Sequence, residues 1–170
     1  MGIEVNRITN ANVYLNGTEL LGKVEEMTLP EMKAKMSDHN ALGMFGTVSF
    51  SSGIEKLEGT IKWNSIYAAV LRKAGDFRNP LRLMVRANVE IQDSSGLANE
   101  VNLTVYMTAQ FTSLPGGAFK KSDNVELTTS YTATSFKLEF DGTVEVEFDA
   151  MSNIYTVGGV DMLANFRANQ

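Results

Sequence analysis

A single histidine, His39, and the absence of cysteine leave a thiolate nucleophile, a histidine-based triad and a multi-histidine metal site without their parts. No Gly-x-Ser-x-Gly elbow, phosphate-cradling loop ending in Lys-Ser/Thr, or Gly-x-Gly-x-x-Gly is present. His39 lies beside Asp38 in a segment without hydrophobic period and reads as a solvated loop side chain. The remaining chemistry belongs to carboxylates. Glu139, Asp141, Glu145, Glu147 and Asp149 crowd one stretch that would suit a paired-acid hydrolase or a calcium site. The Asp-x-Asp-x-Asp-Gly spacing of a calcium loop is missing, however. Glu145, Glu147 and Asp149 alternate with Val144, Val146 and Phe148, as the solvent face of a half-buried strand does. No metal, no cofactor and no enzymatic activity are expected.

Arg72, Lys73, Arg78, Arg82 and Arg86, around Asp76, form the opposite cluster. They would either face the acidic run across a subunit interface or belong to an ordinary mixed surface. A net charge of -5 argues against a protein that grips nucleic acid. With 44% hydrophobic and 21% charged residues in 170 positions, one globular domain spanning 1–170 is expected rather than disorder. The opening Met-Gly-Ile-Glu-Val-Asn-Arg does not read as a signal peptide, and Asn6 stands where a myristoylation signal wants Ser or Thr. The apolar run Ile66 to Leu71 is far shorter than the roughly 20 residues a membrane helix needs, so no membrane insertion is expected.

The elements that must carry these residues are mostly strands. Leu81, Leu83, Val85, Val89 and Ile91 alternate with polar residues, Asp93-Ser94-Ser95-Gly96 supplies a turn, and Val101, Leu103, Val105, Met107 and Phe111 resume the alternation. Asn16-Gly17 between Val13-Tyr14-Leu15 and Leu20-Leu21, and Asp141-Gly142 between Phe136 to Phe140 and Val144 to Phe148, are two-residue hairpin signals. Leu57 to Trp63 and Val125 to Ala133 alternate as well. Two helices are expected. The first is capped by Asn64 or Ser65, buries Ile66, Ala69 and Val70, and stops at Gly75 after Arg72 and Lys73. The second, short and C-terminal, runs from Val160 to Arg167 and buries Leu163 and Phe166.

Glu31 to Gly46 fits neither period and reads as a long loop, with 37–46 as a protrusion. Its Met36, Leu42, Met44 and Phe45 are too apolar for plain disorder. They would either fold back on their own core or dock on a neighbouring subunit or ring.

Three stretches carry a family resemblance. The first is Asn12-Val13-Tyr14-Leu15-Asn16-Gly17, with Leu21-Gly22-Lys23-Val24 and Met27-Thr28-Leu29-Pro30-Glu31-Met32. The second is Ala41-Leu42-Gly43-Met44 with Gly53-Ile54-Glu55-Lys56-Leu57-Glu58. The third is Phe136-Lys137-Leu138-Glu139-Phe140-Asp141-Gly142, Asn153, Gly159-Val160-Asp161-Met162-Leu163 and Arg167. Together they resemble the FII-type major tail tube protein of contractile phage tails, and also the tube protein of R-type pyocins. The stretch from Asn79 to Lys121 departs from family wording, and Phe45-Gly46-Thr47-Val48 stands where family members often carry proline.

The resemblance implies a mainly β fold: an antiparallel β-sandwich or barrel subunit with one flanking helix and a short C-terminal helix, assembling into a homohexameric β-barrel ring. Rings would stack into a hollow inner tube for DNA ejection or membrane puncture, in a virion tail or a headless tail-like particle made in the host bacterial cytoplasm. Partners by resemblance are further copies, the sheath, the tape-measure protein, and baseplate and terminator proteins, with DNA only as passing cargo. Four strands per copy give ~24 strands, which at ~4.8 Å spacing and ~40° tilt enclose roughly 48 Å, enough for a duplex. A conduit should not hold its cargo, so its lining should be short of Lys and Arg. The polar alternates Glu55, Asn102, Thr104, Thr108, Glu126, Thr128, Ser130 and Thr132 are the lumen candidates. The alternative reading is a monomeric β-sandwich that binds carbohydrate or protein.

Overall fold

A computed structural model describes residues 2–20 and 22–170, so Leu21 of the first predicted hairpin lies outside the described residues. The strands are β1 (Val5–Leu15), β2 (Thr18–Glu19), β3 (Val24–Thr28), β4 (Ala34–His39), β5 (Val48–Ile54) and β6 (Leu57–Trp63), followed by α1 (Ala68–Ala74). Then come β7 (Leu81–Asp93), β8 (Gly96–Phe111), β9 (Leu127–Phe140), β10 (Thr143–Asp149), β11 (Ile154–Val157), β12 (Val160–Asp161) and α2 (Ala164–Ala168). The fold is mainly antiparallel β with two short helices, as expected.

The hairpin turns follow from their residues. Asn16 (φ +48°) with Gly17 (φ +80°), and Asp141 (φ +49°) with Gly142 (φ +77°), supply the two positive φ angles of a two-residue turn whose twist matches its strands. Ser95 N–H donates to Asp93 Oδ1 at 2.7 Å in the turn that joins β7 to β8.

The main sheet runs β12-β11-β10-β9-β8-β7-β1-β2. β9 is its spine. One edge pairs with β8. The other edge is shared end to end, with β6 on Leu127 to Ala133 and β10 on Ser135 to Phe140, and β3 adds on beyond β6. The sheet curls so that β3 lies across from β1, β7 and β8, and residues of all four line one cleft. Trp63, Tyr131, Phe111, Leu15, Leu57, Ile61, Leu83 and Val105 fill the core between.

Two polar groups in that core are matched. Trp63 Nε1 donates to Thr129 Oγ1 at 3.0 Å. Tyr131 Oη donates to the Thr28 carbonyl at 3.1 Å, and burial pushes its phenol pKa up. Gly59 is required beside it: a Cβ there would come within 2.4 Å of Tyr131 Oη and 2.5 Å of the Thr28 carbonyl oxygen.

Several local expectations need correction. α1 begins at Ala68 with Tyr67 at its N-cap and no side-chain cap, so neither Asn64 nor Ser65 caps it. Asn64 is already committed, donating to the Gly22 carbonyl and accepting from the Tyr67 hydroxyl, which ties the end of β6 to the start of β3. Val70 and Ala74 are the buried helical residues, whereas Ala69 faces outward and Ile66 precedes the helix, exposed. The stop at Gly75 and the basic last turn stand.

At the C-terminus Val160 and Asp161 form β12 rather than helix, because Gly158 and Gly159, both at positive φ, return the chain onto β11. Phe166 is 51% exposed and Leu163 only half-buried.

The predicted long loop is largely a hairpin. β4 and β5 form a separate two-stranded sheet, so Ser37 to His39 are strand and only 40–47 form the connection. His39 and Phe50 approach at 6.3 Å between ring centroids.

Candidate functional site

Two surfaces combine the residues singled out in the sequence. The first is the polar face of the main sheet. Strand register sets rows across it: Arg82–Thr108–Ser135–Asp149, then Met84–Tyr106–Lys137–Glu147, then Arg86–Thr104–Glu139. Thr128, Ser130 and Thr132 of β9 continue this face beside Lys62, Thr60 and Glu58 of β6.

Seven of the eight lumen candidates map to this region: Asn102, Thr104 and Thr108 on β8, Thr128, Ser130 and Thr132 on β9, and Glu126 just before β9. Glu55 does not join them; it lies between β5 and β6, where its N–H donates to the Lys33 carbonyl at 2.9 Å. Thr104 is only 2% exposed. It sits in register between Arg86 and Glu139 and is covered in the isolated subunit.

The polar face is not free of cations. Its lysines are matched by carboxylates instead: Lys62 Nζ lies 3.1 Å from Glu25 and 3.4 Å from Glu126, and Lys137 Nζ lies 2.9 Å from Glu139. The hydrogen bonds that Lys62 donates to Glu25 and Lys137 to Glu139 hold both ammonium groups above their ordinary range. Arg82 and Arg86 form no ion pair among the described residues. Arg82 and Arg86 of the basic run and Glu139, Glu147 and Asp149 of the acidic run, far apart in sequence, therefore share one face of one sheet, arginines on β7 and acids on β9 and β10. An open groove of about 610 Å³ lies between them, lined by Tyr14, Arg82, Tyr106, Lys137, Glu147 and Asp149 among others.

Two residues of the acidic run serve turns. Asp149 Oδ1 accepts from the N–H groups of Met151 (2.8 Å) and Ser152 (3.1 Å), and Asp141 occupies a hairpin turn. Among the described residues no group of three or more His, Asp or Glu is placed to hold a metal.

The second surface is the β4–β5 hairpin. Leu42 and Phe45 are fully exposed in the isolated subunit, and Met36, Met44, Val48 and Phe50 are largely so. Register puts Val48 opposite His39 and Phe50 opposite Ser37 on one face, with Asp38 and Ser49 on the other. The hairpin is thus amphipathic with its apolar face uncovered. Sequence reasoning found Met36, Leu42, Met44 and Phe45 but missed Val48 and Phe50, although Thr47-Val48-Ser49-Phe50-Ser51 alternates at period two.

The closing stretch forms a brace. Arg167 Nη1 donates to the Asn153 carbonyl at 2.8 Å, its other terminal nitrogen pairs with Asp161, and the Leu163 N–H donates to Asp161 Oδ1 at 3.0 Å. The hydrogen bond from Arg167 holds the Asp161 carboxyl below the usual range.

Against known proteins, the model of the phage tail tube protein FII family matches residues 5–169. The chain belongs to this family. It is 27% identical over 164 residues to the tail tube protein of Escherichia phage P2, covering 93% of this chain and 92% of that one. To the major tail tube protein of Serratia phage KSP20 it is 25% identical over 152 residues, covering 88% and 86%. Among solved structures, a chain of the extended PVC sheath–tube complex of an extracellular contractile injection system aligns with TM-score 0.56 at 8% identity, over 76% of this chain and 88% of that one. A chain of the PVC sheath/tube terminator aligns with TM-score 0.57 at 8% identity, over 78% and 95%. A chain of the anti-feeding prophage cap gives 0.56 at 9%, over 76% and 87%. Those likenesses establish a shared fold. The FII resemblance read in the sequence and the mainly antiparallel β architecture both stand, and Asn153, Asp161, Leu163 and Arg167 of the third part of the resemblance form the C-terminal brace.

Proposed function

We propose that this tail tube subunit is a passive structural part: six copies close into a ring, rings stack into a hollow tube, and the tube is a conduit inside a contractile sheath. The observation that carries this reading is that the subunit is incomplete by itself. A two-stranded hairpin is marginal in water unless its apolar face is covered, and here Val48, Phe50, Leu42 and Phe45 have no cover. The outer edge of β1 from Val5 to Asn12 also has no strand partner among the described residues, a ready site for pairing with another copy. Closure of identical copies into a ring removes such edges.

On this reading the hairpin, with Met36, Leu42, Met44 and Phe45, is the contact between copies or rings. The exposed polar residues Asn102, Glu126 and Thr128, with the partly exposed Thr108, Ser130 and Thr132, line the channel. The sheath, tape-measure, baseplate and terminator proteins are the partners beyond further copies, and no catalysis is involved.

Electron microscopy of the purified protein tests this. Rings or tubes are the expected result. Monomers at every concentration would favour the alternative, a monomeric β-sandwich binding module using the polar groove.

A further inference from the structure

If the hairpin of one copy joins another, some surface must receive it. The cleft between β1 and β3 has a volume of about 370 Å³, toward the lower end of the ~300–1,000 Å³ usual for binding pockets. Buried Val13 and Val105 form its floor, and Ala11, Val24, Met27 and Leu103 its walls. Only Asn10 and Glu25 bring polar side chains to the lining, and Glu25 is already paired with Lys62 at 3.1 Å. Such a lining takes an apolar, uncharged group, because a charge placed there would lose its water without compensation.

The connection 40–47 at the hairpin tip contains no charged residue and presents Leu42 and Phe45 fully exposed. None of its residues lines the cleft of its own copy. The hairpin leaves the body at Ile54, which packs against the core, and β5 then carries the tip roughly 20 Å away at about 3.4 Å per residue.

We propose that the β1–β3 cleft of one copy receives Leu42 and Phe45 from the hairpin tip of a second copy. The contact is head-to-tail: each copy gives a tip and offers a cleft, so the same interaction propagates through the assembly. It also covers the free edge of β1. This assignment rests on the reading of the hairpin as an assembly contact and adds to it the receiving site.

The absence of cysteine makes the test clean. In the full chain, Ala11→Cys at the exposed cleft rim is combined with Phe45→Cys at the tip, and assembled protein is oxidised. A ladder of covalent multimers on a non-reducing gel, collapsed by reductant and limited to dimers in either single variant, is expected. Ala11→Trp, which fills the cleft from its rim, should stop polymerisation while circular dichroism stays native. A Phe45→Asp variant separates the two levels of the argument. If Phe45→Asp blocks tubes but the cysteine pair gives no ladder and Ala11→Trp still polymerises, the tip docks elsewhere and the cleft assignment falls. If Phe45→Asp polymerises normally, the hairpin is not an assembly contact and both readings fall.

Discussion

Replacing Thr129 by Val tests the account of the core at its least forgiving point. Thr129 and Trp63 are both fully buried, and the indole N–H has Thr129 Oγ1 at 3.0 Å as its partner. Valine matches threonine in shape, so the change opens no cavity and removes one acceptor, leaving a buried donor unpaired at a cost of about 1–3 kcal/mol. With a urea m-value of roughly 2 kcal/mol/M, the midpoint should fall by about 1 M. The assay is equilibrium urea unfolding followed by far-ultraviolet circular dichroism, which reads every background including the tryptophan-free one, with all variants at one low concentration so that association contributes equally. Trp63→Phe supplies the control: in that background the donor is gone, and Thr129→Val should cost close to nothing. An unchanged midpoint for Thr129→Val, or the same cost in both backgrounds, would refute the reasoning.

Four further outcomes are expected. Gly59→Ala should destabilise the fold by about 1–3 kcal/mol or more, since its Cβ would overlap the Tyr131 hydroxyl and the Thr28 carbonyl, whereas Gly46→Ala, with open space around it, should leave the melting temperature unchanged. Val70→Asp should give insoluble protein, while Phe166→Asp, at a position 51% exposed, should remain soluble with native circular dichroism. The depressed Asp161 carboxyl contributes fully above its unfolded value of about 3.9, and that contribution fades as pH falls through the lower folded value; the protection of amides in 161–168, taken relative to their intrinsic exchange, should therefore weaken only below about pH 4, and Asp161→Asn should abolish this weakening. Glu126→Lys with Thr128→Lys adds two lysines per copy at exposed positions of the proposed lining and should slow DNA ejection, more at low salt; unchanged kinetics at low ionic strength would remove those residues from the channel.

What the sequence made legible follows from which interactions are local. The Asn16-Gly17 and Asp141-Gly142 turns, and the alternation from Leu81 to Phe111, were readable because turn chemistry and period two are written in adjacent residues. Bulges hid the rest. The register shift between Ile8 and Asn10 spaces the cleft-lining residues as Ile8, Ala11, Val13, so β1 carries no period-two signature before Val13. The same happens on β9, where the shift near Thr134 puts Ala133 and Phe136 on one face three positions apart.

The misplaced helix cap has a different cause. Asn64 has the right chemistry for a cap, but a partner more than forty positions earlier, the Gly22 carbonyl, claims it. The hairpin tip is legible as apolar residues without a period, and the amphipathic face of Val48 and Phe50 is written in the alternation from Thr47 to Ser51, but its pairing with β4, whose residues do not alternate, is not. Which face borders a channel depends on neighbouring copies, and one chain's periodicity carries no term for them.

The end-to-end sharing of one β9 edge by β6 and β10 has a consequence for the newborn chain. β6 is synthesised some seventy positions before the stretch of β9 that pairs with it, whereas β10 follows β9 after a two-residue turn. At ribosomal speeds of about 5–20 residues per second, β6, with β3 on its other edge, waits roughly 4–15 s for β9. During that interval Leu57, Ile61 and Trp63 have no finished sheet to close over them. The burden on cellular chaperones should accordingly fall on the first half of the molecule, and end when residue 133 has cleared the ribosome.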